Sequence, residues 1–301
     1  MFGKNLRIIS LIIFLLLGMG KSFSQNSGAG KMKNTTGFLK HEKLSILGGI
    51  GFSTYYGDLC DKFSCMTPRF NGGIGLLYRI TNHISAKTEI NYFRLKSTDV
   101  YEERNLNFRS GNVEWALEGV YDIFPYTKHF RKRKPFAPYL FLGVGFAMFN
   151  PKGENKDGEW VNLRPLRTEG QSTPYSNLTP TIPYGIGVTF KYTKQISFVA
   201  EGGYRMTFTD YIDDVSSYGY ADQTKLTPEA QELALKAPEG SQYRNSYILY
   251  GENGEVIGRQ QRGNPKKNDG YFVFQAKIRY VIGAKHNNFR GKHPLLKPTA
   301  K

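Results

Sequence analysis

Along most of the chain apolar and polar residues alternate one for one, the periodicity of a β-strand whose two faces meet different surroundings. The run YFVFQAKIRYVI, residues 271–282, is the clearest case. One side carries Phe272, Phe274, Ala276, Ile278, Tyr280 and Ile282; the other carries Tyr271, Val273, Gln275, Lys277, Arg279 and Val281. The same split sets Ile84, Ala86, Ile90 and Tyr92 against Ser85, Lys87, Glu89 and Asn91, and Val113, Trp115, Leu117 and Tyr121 against Glu114, Ala116 and Glu118. Strands are predicted at 44–57, 68–80, 83–96, 105–124, 135–149, 180–193, 195–212 and 270–283. Each is long enough to supply the ~9–11 residues with which a tilted strand crosses a bilayer's hydrocarbon.

Ionic side chains occupy only one face: Lys87, Glu89, Glu114, Glu118, Glu201, Arg205, Lys277 and Arg279, balanced in sign. The opposite face is apolar, flanked by aromatic residues and continuous from strand to strand. A soluble sandwich packs its apolar faces together and turns the polar ones to water. A membrane barrel does the reverse, with lipid outside. The predicted fold is therefore all-β, an eight-stranded antiparallel transmembrane β-barrel with long outer loops. Eight strands leave an interior just filled by side chains, so the ionic residues are expected to pair across the lumen rather than line a channel. Connections alternate between short or basic turns, after strands two, four and six, and a set that includes the long segments 151–179 and 213–269. An even strand number with this alternation puts both termini on the periplasmic side. Within the last loop, Thr227-Pro228-Glu229 reads as a helix start and Asn253-Gly254 as a hairpin turn, and the loop is expected to fold over the outer mouth.

The first residues set Lys4 and Arg7 before the apolar run Ile8–Leu17 and the small-residue pattern Ser22-Phe23-Ser24, the parts of a secretory signal peptide. The expected layout is a signal peptide at 1–24, a periplasmic N-terminal segment at 25–43, the barrel at 44–283 and a basic periplasmic tail at 284–301, in the outer membrane. The formal charge of +16 is placed rather than spread. Outside the signal peptide it gathers in residues 31–43, in the turn containing Lys128, Arg131, Lys132, Arg133 and Lys134, and in the tail. Localised basicity in an exported chain argues against nucleic acid as a partner. All three basic segments fall on the periplasmic side, facing either the lipid headgroups of the outer membrane or an acidic protein partner. The two cysteines, Cys60 and Cys65, share a polar loop and are expected to form a local disulfide in an oxidising compartment.

Candidate chemistry is sparse. Asp210, Asp213 and Asp214 end the seventh strand on the outer side, and neighbouring carboxylates can bind calcium or move protons. Alternation groups Asp210 with Asp214 and turns Asp213 the other way. The favoured reading is a polar rim with turn and capping duties; calcium is the weaker alternative. All five histidines (His41, His83, His129, His286, His293) map to the periplasmic side, across the membrane from these aspartates. No Gly-x-Ser-x-Gly elbow is present. Glycine strings such as GGIG and GVGF lie inside strands with no helix after them, so they are read as room for the lumen rather than phosphate loops. No enzyme activity, cofactor or metal is expected.

Several strings in order carry a family likeness: YYGDL after strand one, ERNLNFRSG entering strand four, KPFAPYLFLGVGFAMFNP at strand five, LRTEGQ in the third outer loop and TDYIDDVS after strand seven. Together they resemble the PorG family, small outer-membrane barrels of the type IX secretion system of Bacteroidetes. The resemblance implies a non-enzymatic component of the protein secretion machinery that associates with the periplasmic ring built by PorK and PorN. Lys128, Arg131, Lys132, Arg133 and Lys134 are our own assignment for the ring contact. The rival reading is a surface adhesin acting through loops 151–179 and 213–269.

Overall fold

The computed structural model describes residues 43–283 apart from 102, 128, 129, 218, 239, 241–247 and 251–255. The predicted signal peptide and the two flanking basic segments, Lys43 excepted, lie outside the described residues. Twelve strands are described: β1 (Leu44–Tyr56), β2 (Arg69–Arg79), β3 (Ile84–Thr98), β4 (Asn107–Asp122), β5 (Phe136–Met148), β6 (Pro151–Glu154), β7 (Trp160–Asn162), β8 (Leu178–Lys191), β9 (Ile196–Thr207), β10 (Ile248–Tyr250), β11 (Val256–Arg259) and β12 (Gly270–Val281). Eight of them run β3-β2-β1-β12-β9-β8-β5-β4, and β4 pairs back onto β3. Every neighbouring pair is antiparallel, including the closing pair in which Leu47 faces Arg279 and Phe52 faces Phe274. Closure leaves no strand edge, the condition for placing β-structure in a solvent that offers no hydrogen bonds.

The alternation in the sequence becomes the two faces of this cylinder. On β4, Trp115 is 44% exposed while Glu114 is fully buried, and on β12 Ile278 is 53% exposed while Lys277 is 3% exposed. A band of outward Ile, Leu, Val, Phe, Trp and Tyr covers all eight strands. In water such a surface would cost on the order of 25 cal/mol for each Å² left unburied. Against acyl chains it costs nothing, which is why the ionic residues are the ones packed inside.

Inside, glycine makes room for long charged side chains. A Cβ at Gly75 would come within 2.5 Å of the Glu89 Cγ, and one at Gly143 within 2.7 Å of the Glu118 Cγ. Both carboxylates reach the barrel axis because their strand neighbours have no side chain, the lumen role expected of these glycines.

The connections divide the barrel into a short-turn end and a long-loop end. The turns 80–83, 123–135 and 192–195 lie at the first, and 57–68, 99–106, 149–177 and 208–269 at the second. At the long-loop end the loops pack onto the barrel. Leu59, Leu106, Leu163, Ile212, Val215 and Leu233 join the inward Tyr55, Phe93, Phe108, Tyr271 and Val273 in one buried cluster. Cys60 and Cys65 are disulfide-bonded in the first of these loops, and Cys60 belongs to the same cluster. β6 and β7 extend the sheet beyond β4, pairing Arg109 with Lys152 and Lys152 with Asn162. The helix α1 (Pro228–Ala234) begins where the sequence sets it: Thr227 caps it by accepting from the Ala230 N–H at 3.3 Å, Pro228 follows, and Leu233 faces the core. β10 and β11 pair around the predicted Asn253-Gly254 turn, whose residues lie outside the described ones. The barrel thus has a mouth sealed by its own loops.

Candidate functional sites at the two ends of the barrel

At mid-height the lumen is filled by an ion-pair network. The Lys87 ammonium lies 2.7 Å from Glu118, 2.7 Å from Glu201 and 3.2 Å from Glu89; Lys277 lies 2.7 Å from Glu89 and 2.8 Å from Glu201. Arg205 adds Glu114 at 3.5 Å and Glu118 at 3.9 Å, and the Tyr139 hydroxyl donates to Glu201 at 2.6 Å. Glu89, Glu118 and Glu201 stand close enough to hold a metal ion. The two lysine ammoniums already occupy that role, so the trio is read as structural. Buried charges in a medium of low dielectric persist only when paired in this way. Seven of the eight inward charges anticipated from the sequence belong to the network. Arg279 does not; it lies nearer the short-turn end, beside a pair the sequence reading missed, Arg79 and Asp122 at 2.8 Å.

At the long-loop end the aspartates are not an exposed rim. Asp210, Asp213 and Asp214 are 6%, 2% and 0% exposed, which corrects the rim of the sequence reading, whereas its turn duty is met by Asp213, which accepts from the Val215 N–H at 2.9 Å. Regular pairing of β9 stops at Thr207, and Asp214 takes a left-handed φ of 68°, so strand alternation no longer governs which way each carboxyl points. Asp214 accepts from the Tyr175 hydroxyl at 2.8 Å and from Thr168, and faces Arg262 at 3.7 Å. Arg262 in turn donates to Glu169 at 2.5 Å and to the Asp214 carbonyl at 2.7 Å. Arg104 clamps Asp99 and donates to the carbonyls of Arg262 and Asp58, tying the second loop to the fourth.

Asp213 belongs to a different group. Its Oδ2 and the Oδ1 of Asp269 each lie 2.6 Å from the Tyr55 hydroxyl. A phenol has one hydrogen to give, so the second short contact requires a proton held by the carboxyl pair. Burial first, then the charge of Asp269 on Asp213 and that of Asp210 on Asp269, pushes both carboxyls well above the usual range. Asp210 faces this pair rather than Asp214: burial first, then the charges of Asp213 and Asp58, push it up to about 9. Asp214 is pushed up to about 6 by burial, with Arg262, Thr168 and Tyr175 pulling against it. The cap is thus held by arginine clamps on one side and by retained protons on the other.

At the short-turn end lies the basic turn. Phe130–Lys132 forms a 3₁₀ turn whose carbonyl oxygens are gripped by Lys191, which donates to Phe130 at 3.2 Å and to Arg133 at 2.7 Å. Arg133 is folded inward: its Nε donates to the Thr127 carbonyl at 2.8 Å and its guanidinium lies 3.8 Å from the Tyr126 ring centre. Arg131, Lys132 and Lys134 are exposed, and Lys128 lies outside the described residues. His83, whose Nδ1 is 2.7 Å from the Asp122 carbonyl, is also at this end.

No protein-family model and no curated protein matches the chain. Among solved structures it is similar to the outer membrane protein OprG of Pseudomonas aeruginosa, with 10% identity over 82% of this chain and 99% of that one at a TM-score of 0.38. It is similar also to Neisserial surface protein A, with 12% identity over 79% and 97% at 0.36, and to Ail, the attachment invasion locus protein of Yersinia pestis, with 11% identity over 80% and 98% at 0.37. The closed cylinder, its outward apolar band and its ionic interior decide the setting on physical grounds. The chain is an outer-membrane β-barrel protein.

Proposed function

We propose that this barrel is a non-enzymatic component of a type IX protein secretion machinery, and that it anchors or organises a periplasmic ring of PorK and PorN type at the outer membrane. The observation that carries the reading is the basic turn. Lys191 and Tyr126 hold it in one conformation while Arg131, Lys132 and Lys134 project from it, a preorganised cationic surface of the kind that docks an acidic protein face. The pattern of long loops outside and short turns inside supports a periplasmic position for that surface. A lumen filled by paired charges and a mouth covered by packed loops favour an anchoring role over solute transport. The ordered motifs that resemble the PorG family supply the identity of the partner.

The test separates docking from folding. Arg131→Glu combined with Lys132→Glu reverses two exposed charges and leaves the Lys191 and Arg133 contacts in place. The expected result is a barrel that still shows heat-modifiable gel mobility but co-purifies with the ring at least tenfold less. Unchanged co-purification together with unchanged cargo secretion would remove the mechanism.

A further inference from the structure

Of the eight inward charges anticipated from the sequence, Arg279 is the one that the lumen network leaves out, and its surroundings give it a use. The residue is 7% exposed, and its Nε is buried without a hydrogen-bond partner. Among the described residues it forms no ion pair. The nearest acid, Asp122, is already taken by Arg79 at 2.8 Å. An arginine this deep, with no counterion of its own, costs several kcal/mol unless an anion or water satisfies it.

The space in front of it is a narrow cleft of about 40 Å³ between the strand ends and the short turns. Its lining holds six cationic side chains, among them Arg79, Arg133, Lys191 and Arg279, against the single acid Asp122. The Tyr126 ring orders the entrance by standing between two guanidiniums, Arg79 at 4.0 Å and Arg133 at 3.8 Å. Behind Arg279 the lumen closes on the buried Leu47, Leu77, Val120 and Tyr139. The cleft is therefore a dead end: what enters is held, not passed on. Its walls are inward-facing residues and turn residues, so the way in is from water along the barrel axis rather than from the lipid around the outside.

We infer that the short-turn mouth is a binding pocket for a carboxylate carried by an acidic polypeptide, with the Arg279 guanidinium as the buried end of the site. A planar, permanently charged fork suits a carboxylate. Phe124, Pro125 and Val281 in the lining suit the methylenes that carry it. The pocket is too small for a folded domain and has room for a carboxylate group. The choice of a polypeptide as source rests on the docking function proposed above; the vacant guanidinium does not.

The experiment uses the full chain in nanodiscs of zwitterionic lipid at low salt, titrated calorimetrically with a hexaglutamate peptide, with inorganic phosphate, and with small vesicles containing an anionic phospholipid. Saturable peptide binding is expected, weakened at least tenfold by Arg279→Gln and less than threefold by Arg131→Gln with Lys132→Gln. Gel mobility checks folding. Should the glutamine variant not fold, Arg279→Lys keeps the charge, loses the fork and is held to a threefold loss. No saturable peptide binding, the same affinity in the Arg279 variant, or a preference for phosphate or vesicles over peptide would each overturn the assignment. Peptide binding needs no ring protein, so failure here and failure of ring docking are read separately.

Discussion

Asp210 shows how far a residue's chemistry depends on neighbours that sequence does not place beside it. The residue is 6% exposed, and its carboxyl faces Asp213 and Asp58. The neutral form is the one the cap accommodates. With the folded value raised to about 9 and the unfolded one near 4, the folded cap holds an extra proton between those limits. That contribution to stability is complete below about pH 4, falls as pH rises, and is gone above about 9. Asp214, at about 6, steepens the lower part of the same window. Asp210→Asn should flatten the slope and slow protease cleavage of loop 208–269 at pH 8 by about tenfold or more, since the carboxyl is shifted by more than one unit. Cleavage that is independent of pH from 5 to 9 in the unmodified protein would contradict this. The partners involved, Tyr55, Asp269, Thr168, Tyr175 and Arg262, lie far from 210–214 in the chain. No local pattern announces them, and the aspartates read as a rim for that reason.

The strands were legible because each carries its own evidence. A residue's face is fixed by the parity of its position, and on β12 the expected outward and inward sets are those of the structure. The same parity put the charged residues in the lumen. It could not say which of them would meet, since that depends on the stagger of strands far apart in the chain. Lys87 on β3 reaches Glu201 on β9, whereas Arg279 on β12 forms no ion pair among the described residues, its neighbour Asp122 being paired with Arg79. Loops offer no such periodicity, although the helix start at Thr227-Pro228 was readable from its cap chemistry. Trp115 gives the strand assignment a direct check at the level of the element. It stands on the outer face of β4 and, with Trp160→Phe, is the only tryptophan left. In bilayers of lipids brominated along the acyl chain its fluorescence should fall to about half or less, the response of an indole within the hydrocarbon band. Emission unaffected by bromine would place this face of β4 away from lipid.

Among the described residues the molecule is a closed cylinder blocked twice, by paired charges at mid-height and by packed loops at the long-loop end, with a cleft at the short-turn end. That asymmetry directs function to the end where cations are left over. Arg279 and the ordered turn at 130–133 lie there together, one at the bottom of a cleft and the other on its rim. The fold follows from alternation alone, and the proposal of a working face rests on loop lengths and charge placement. The identity of the partner rests on the family likeness. The most direct measurement of the central claim is site-specific photocrosslinking in intact cells from position 132 in the basic turn, with position 156 in loop 149–177 as the comparison. The account predicts that position 132 captures a periplasmic ring protein and that position 156 does not. Capture of a ring protein from position 156, or of lipid alone from position 132, would contradict it.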